Sequence, residues 1–211
     1  MGKYLNKKFT LGKKVILLLF FIISSEQLIC AVHNKPFDSL EISLQLTQNV
    51  NHNTFHEFYE SKNGGKVSFN TPFYWGNVQA SFKLMPFIDR RENNANFIIL
   101  QPDIKWGKNI YLSDKITWFN SVGIGIDIFY FANKKFSSID GILLSFTEKT
   151  ESEIVLSFSS KISHPLNNNI YLNLEFSNDI IFTYKKINLV DMHIGMAYLI
   201  TTPRWIKLIL E

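Results

Sequence analysis

The chain has one cysteine, Cys30, among its 211 residues. Once a leader containing it is removed, disulfides are excluded, and no cysteine cluster is present to hold a metal. Its long apolar run, Val15–Ile23, covers nine residues, well short of the roughly 20 that a membrane-spanning helix needs. A net charge of one sign is also missing where it would matter. The formal +4 arises because Lys3, Lys7, Lys8, Lys13 and Lys14 precede residue 32 with Glu26 as the only acid; residues 32–211 hold 17 basic and 17 acidic side chains. A neutral chain gives no electrostatic reason to bind nucleic acid. Glycine-rich phosphate loops are absent as well.

The chain opens with a leader. Lys13 and Lys14 close a basic segment, Val15–Ile23 is the apolar centre, and "LICAV" comes next. This is the layout of a secretory signal, with Ile29 and Ala31 at the −3 and −1 positions of an imperfect cleavage site. Gln27, Leu28 and Ile29 before Cys30 do not make a lipoprotein signal. The expected organisation is a signal peptide over residues 1–31 and one domain over residues 32–211.

Beyond residue 31 the dominant pattern is alternation with period two, the mark of strands with unlike faces. It predicts eight of them. Leu40, Ile42, Leu44 and Leu46 mark the first. Val78–Leu84 mark the second, with a start as early as Val67 and an interruption at Pro72. Ile98–Trp106 form the third, where Pro102 predicts a bulge or a local loss of pairing. Ile116–Tyr130 form the fourth, with Asn120 alone breaking its apolar row. Ile142, Leu144 and Phe146 mark a weaker fifth, Ile154–Ile162 the sixth, Ile170–Tyr184 the seventh and Val190–Ile200 the eighth. Eight strands on short polar turns close into an all-β, antiparallel up-and-down barrel.

Alternation alone does not say which face is inside. The face opposite the apolar one carries Gly123, Gly125, Ser157, Ser159, Asn173, Ser177, Gly195 and Ala197. Small residues suit the lumen of an eight-stranded barrel, whereas a water-washed surface fills with long charged side chains. That face also mixes Lys83, Lys105 and Lys161 with Asp103, Asp127, Glu175, Asp179 and Asp191, as a closed lumen needs if its charges are to pair. Trp106, Trp118, Tyr130, Tyr184 and Tyr198 lie towards strand ends, where aromatic girdles meet the lipid interface. The expectation is a transmembrane barrel, with a soluble carrier of lipocalin type as the alternative.

"HIGMAYLI" resembles the terminal-strand assembly signal of bacterial outer-membrane proteins, with His193, Gly195, Tyr198 and Ile200 in the signal positions. With the leader and the strand count, residues 38–200 resemble the small eight-stranded outer-membrane barrels, such as the membrane domain of outer-membrane protein A. The resemblance implies the bacterial outer membrane as location, its lipids and the barrel-assembly machinery as partners, and no cofactor. "RWIKLIL" comes after the signal and is expected either to extend the last strand or to pack beneath the barrel.

Candidate chemistry is sparse. Ser121, Glu175 and His193 could compose a hydrolase triad of the lipid A deacylase kind, but the His-Ser-Asn segment by which those enzymes resemble one another does not occur. The plainer reading is a lumen charge network of Lys83, Lys105, Asp127, Lys161, Glu175, Asp179, Asp191 and His193. His52 and His56 have a metal-like spacing but lack an evident third ligand, and an exposed loop accounts for them. The expected role is non-enzymatic, in envelope integrity or with a small solute, with an outer-membrane lipid-modifying hydrolase as the alternative. N-terminal sequencing of envelope-purified protein should read from about Val32; a chain still beginning at Met1 would contradict the signal-peptide reading.

Overall fold

The computed structural model describes residues 36–90, 95–113, 115–131, 137–139, 142–144, 150–184 and 186–210. Residues 1–31, the expected signal peptide, and Phe146 lie outside them. The strands are β1 (Ser39–Asn49), β2 (Tyr59–Ser61), β3 (Gly64–Phe73), β4 (Gly76–Asp89), β5 (Phe97–Ser113), β6 (Ile116–Phe131), β7 (Ser137–Ile139), β8 (Ile142–Leu144), β9 (Thr150–Pro165), β10 (Ile170–Ile181) and β11 (Ile187–Thr201). A 3-10 turn spans Thr54–Glu57, and a helix, α1, spans Arg204–Leu210.

Eight of these strands form one closed antiparallel sheet in the order β4-β3-β1-β11-β10-β9-β6-β5, with β5 pairing back onto β4. The paired row Thr47–His193–Glu175–Lys161–Phe119 starts near the end of β1 and reaches the early part of β6. That drift is the strand tilt a barrel needs to close. Gly195 and Gly123 let the walls come close. A Cβ on Gly195 would meet Leu44 O and Gln45 Cα, and one on Gly123 would meet Ile104 O and Lys105 Cα.

The strand count is eight, but two of its members differ from the sequence reading. The expected second strand is a hairpin, β3 and β4, turning at Tyr74 and Trp75, where Tyr74 takes a positive φ of 46°. Pro72 sits near the end of β3, where its missing N–H does little damage. The expected fifth strand is no barrel stave: β7 and β8 pair only with each other. Pro102 removes local pairing to β6 while the register on either side stays the same; the register shift in that hairpin falls between Tyr111 and Ser113. β10 stops at Ile181, short of Phe182 and Tyr184. The "RWIKLIL" segment is helical and does not extend β11; Lys207 Nζ ties it to Asp38 Oδ1 at 2.6 Å.

The two ends of the barrel are unlike. At one end β3–β4 and β5–β6 are joined by two residues each and β9–β10 by four. At the other, the links from β1 to β3 and from β6 to β9 are much longer. Trp75, Trp106, Trp118 and Tyr198 gather towards the short-turn end, and Trp205 comes after the last strand there. The wall is apolar outside and polar inside. Leu44, Ile104, Ile124 and Ile154 are all more than 60% exposed, while Asp127, Glu175 and Asp191 are 0% exposed. Water does not tolerate such a contiguous apolar surface on a monomer, and lipid does.

Candidate functional site: a charged lumen under an apolar seal

The lumen is built from alternate residues of eight tilted strands, and its contents change along the axis. On six strands the inward polar residue is followed, two positions nearer the long-loop end, by an apolar one. Lys83 gives way to Met85, Gln101 to Ile99, Asp127 to Phe129, Ser157 to Val155, Asp179 to Ile181 and Asp191 to Leu189. All twelve side chains are buried. The result is a charged layer directly beneath an apolar layer.

In the charged layer Lys83 Nζ reaches Asp179 Oδ2 and Asp191 Oδ2, each at 2.6 Å. Ser157 Oγ donates to Asp179, and Asn49 Nδ2 donates to Asp191 Oδ1 at 2.8 Å. Asp127 stands in the same layer with no hydrogen-bond partner on either oxygen. Nearer the short turns, Lys66 Nζ bonds Glu175 Oε1 at 2.7 Å and Lys161 Nζ bonds Glu41 Oε1 at 2.7 Å. Lys105 Nζ lies 3.4 Å from Asp103 Oδ2, while Ser81 Oγ donates to the other Asp103 oxygen. Lysine and carboxylate are seldom fully buried unless paired, and pairing holds all of these charges except Asp127. Gln45 and Gln79 have no partner on either amide atom, so this part of the lumen suits water or another small polar guest.

The seal is a cluster of Met85, Phe87, Phe97, Ile99, Phe129, Val155, Ile181 and Leu189. The segment after β1 closes over it. Asn51 and Asn53 both donate to Asn188 O, at 2.8 and 2.6 Å, and Val50 N donates to Val190 O at 2.8 Å. These bonds bring Phe55 onto Tyr59, Phe87 and Phe97, with ring centroids 5.2, 5.3 and 6.1 Å apart. Asn53 caps the short turn by accepting from Phe55 N at 3.0 Å, and His56 Nδ1 lies 2.9 Å from the same Oδ1. Burial lowers the pKa of His56, and the charges of His52 and Arg90 act in the same direction.

The structure does not assemble the candidate triad, although Glu175 and His193 face each other across β10 and β11. Ser121 Oγ bonds Ser159 Oγ at 2.6 Å, Glu175 is held by Lys66, and His193 bonds Thr47 Oγ1 at 2.8 Å and Ser177 Oγ at 3.0 Å. His193 thus sits between two hydroxyls, with no carboxylate bonded to it to orient a base. His52 and His56 meet edge-on at 5.8 Å, and His56 is buried. Among the described residues no group of three or more His, Cys, Asp and Glu is placed to hold a metal. Of the signal residues, His193 and Gly195 lie on the lumen side of β11, while Tyr198 and Ile200 lie on the outer side.

Sequence reasoning misses Lys66 and the partnership of Glu41. Lys66 is hidden because β3 does not stand out as a strand of its own, and Glu41 shows only as a polar-face residue without a cation to meet. The seal is legible in principle, since Val155, Ile181 and Leu189 hold the inward parity of their strands.

No known family model matches the chain, and no curated protein matches it. Solved structures do. Neisserial surface protein A has a TM-score of 0.52 at 6% identity, covering 77% of this chain and 96% of its own. The attachment invasion locus protein Ail of Yersinia pestis has 0.50 at 11%, covering 77% and 99%. The outer-membrane protein OprG of Pseudomonas aeruginosa has 0.50 at 11%, covering 81% and 99%. The shared property is the fold: this chain is a closed eight-stranded barrel of the kind found in small outer-membrane proteins.

Lys83 is the test of the charged layer. Lys83→Met leaves Asp179 and Asp191 facing each other without their cation, and should cost about 3–5 kcal/mol in urea unfolding from lipid vesicles. Adding Asp179→Asn and Asp191→Asn should restore most of that loss. A single-variant loss below about 1 kcal/mol would show that the aspartates do not depend on Lys83.

Proposed function

We propose that the chain, after loss of residues 1–31, is a non-enzymatic barrel of the bacterial outer membrane that serves envelope integrity rather than general permeation. The observation that carries this reading is the apolar layer over the charged layer. An ion leaving Lys83 and its aspartates towards the long loops would enter a ring of Met85, Ile99, Phe129, Val155, Ile181 and Leu189. A narrow apolar constriction of that kind resists both water and ions. The wall supports the same reading, since its outward residues are matched to outer-membrane lipids as the main partner.

Two further readings have observations of their own. The unpartnered amides of Gln45 and Gln79 favour a small polar solute in the short-turn half of the lumen. The pattern His193, Gly195, Tyr198 and Ile200 supports recognition of β11 by the barrel-assembly machinery. A hydrolase is disfavoured because His193 is enclosed between Thr47 and Ser177, where no lipid acyl chain can reach it.

Planar-bilayer recordings should show no stable conductance of the porin type. Replacing Ile99, Val155 and Leu189 together by Ser should introduce an ion leak, because it wets the constriction. A large stable conductance of the unaltered barrel would overturn the proposal, as would a lipid A acyl change that disappears with His193→Ala.

A further inference from the structure

The apolar row of β6 is broken once, at Asn120, and the neighbouring strands place two more polar residues beside it. Lys108 of β5 pairs with Asn120, and Asn120 pairs with Ser160 of β9. The three therefore form one row across three strands on the outer face. Among the outward positions of the eight barrel strands, Lys108 is the only Lys, Arg, Asp or Glu. No described ion pair includes it.

The place of the row is as informative as its composition. The ladder between β4 and β5 ends at Asn77 and Gly107, so Lys108 stands one residue past the rim on that side. Trp106 and Trp118 precede Lys108 and Asn120 by two residues and face the same way. Tryptophan prefers the headgroup level of a bilayer, which puts the row at that depth in the leaflet beside the short turns.

Its chemistry is that of a donor set. Trp118 Nε1 donates to Ser160 Oγ at 2.7 Å, which leaves the serine O–H to donate elsewhere. Asn120 Nδ2 is buried without a partner, so its N–H donors are uncommitted and become available to a ligand that turns the amide. Lys108 adds an ammonium. Among the outward positions of the described barrel strands no carboxylate is present to satisfy any of them. An amide left unpaired on a lipid-facing wall is costly, and a lysine there needs an anion or water at its tip.

We propose that Lys108, Asn120 and Ser160 bind the phosphate of a phospholipid headgroup in the leaflet at the short-turn end, with Trp106 and Trp118 flanking the lipid. The site rests on the barrel's placement in the outer membrane. A phosphate oxygen accepts from all three groups, and the charge-assisted bond to Lys108 is the strongest of them.

Native mass spectrometry of the mature barrel, released from detergent after incubation with phosphatidylglycerol, tests this. The barrel should retain lipid, and Lys108→Gln with Asn120→Val should cut the retained fraction about tenfold. Lys62→Gln, in the long-loop link from β1 to β3, should leave it unchanged. Diacylglycerol, which lacks the phosphate, should not be retained. Valine suits the lipid face, so the double variant should still show heat-modifiable migration; if it does not fold, Lys108→Gln alone decides. Equal retention by the variant, equal retention of diacylglycerol, or complete displacement by equimolar inorganic phosphate would each overturn the site. A barrel that does not insert into vesicles at all would instead overturn the membrane reading on which the site rests.

Discussion

Inside a bilayer no water is available to a free backbone N–H or C=O, and each one left unpaired costs several kcal/mol. A sheet that crosses lipid therefore has to close, and here β1 closes it by pairing with β11 from Ser39↔Thr201 to Asn49↔Asp191. The other features derive from that closure. Eight tilted strands leave an interior only wide enough for side chains. Hence glycine lines the close approaches at Gly123 and Gly195, and serine or asparagine fills much of the rest.

A lumen that narrow cannot hydrate its charges as bulk water would, so charge has to be matched within it. Lys66, Lys83, Lys105 and Lys161 each have a carboxylate within 3.4 Å. The pairs join distant parts of the chain, such as β3 with β10 through Lys66–Glu175 and β4 with β11 through Lys83–Asp191. They act as internal ties across the barrel. Replacing such a pair by apolar residues need not destabilise, whereas removing one member leaves a buried charge. The apolar layer above them uses the opposite chemistry to do a different job, shutting the end where the connections are long.

Facing and strand period are legible because both are local: a two-residue alternation such as Ile124-Gly125-Ile126-Asp127 carries its own meaning. The hairpin at Tyr74 and Trp75 is not, because its two turn residues are aromatic and the Gly76-Asn77 pair that would signal a turn lies just after them, at the start of β4. Conversely, Ile142 and Leu144 alternate like a stave but pair with β7 outside the barrel. Which lysine meets which acid depends on the tilt, and tilt is a property of the closed sheet that no single strand encodes. Lys66–Glu175 spans 109 residues of sequence for this reason. The seal of Phe55 depends on the same non-local geometry, through the bonds that Asn51 and Asn53 make to Asn188.

One face of the wall meets lipid and the other encloses charge, and β6 displays both most plainly. Because Cys30 is the chain's sole cysteine and precedes β1, it can be replaced by Ser and single cysteines placed along β6 and spin-labelled. Collisions of the labels with lipid-soluble oxygen should then alternate along β6, high at Val122, Ile124, Ile126 and Ile128 and low at Ser121, Asp127 and Phe129, with Gly123 and Gly125 left unlabelled because a Cβ there would meet the β5 backbone. The reverse phase, or high access of a water-soluble nickel chelate to Val122, Ile124, Ile126 and Ile128, would contradict that facing.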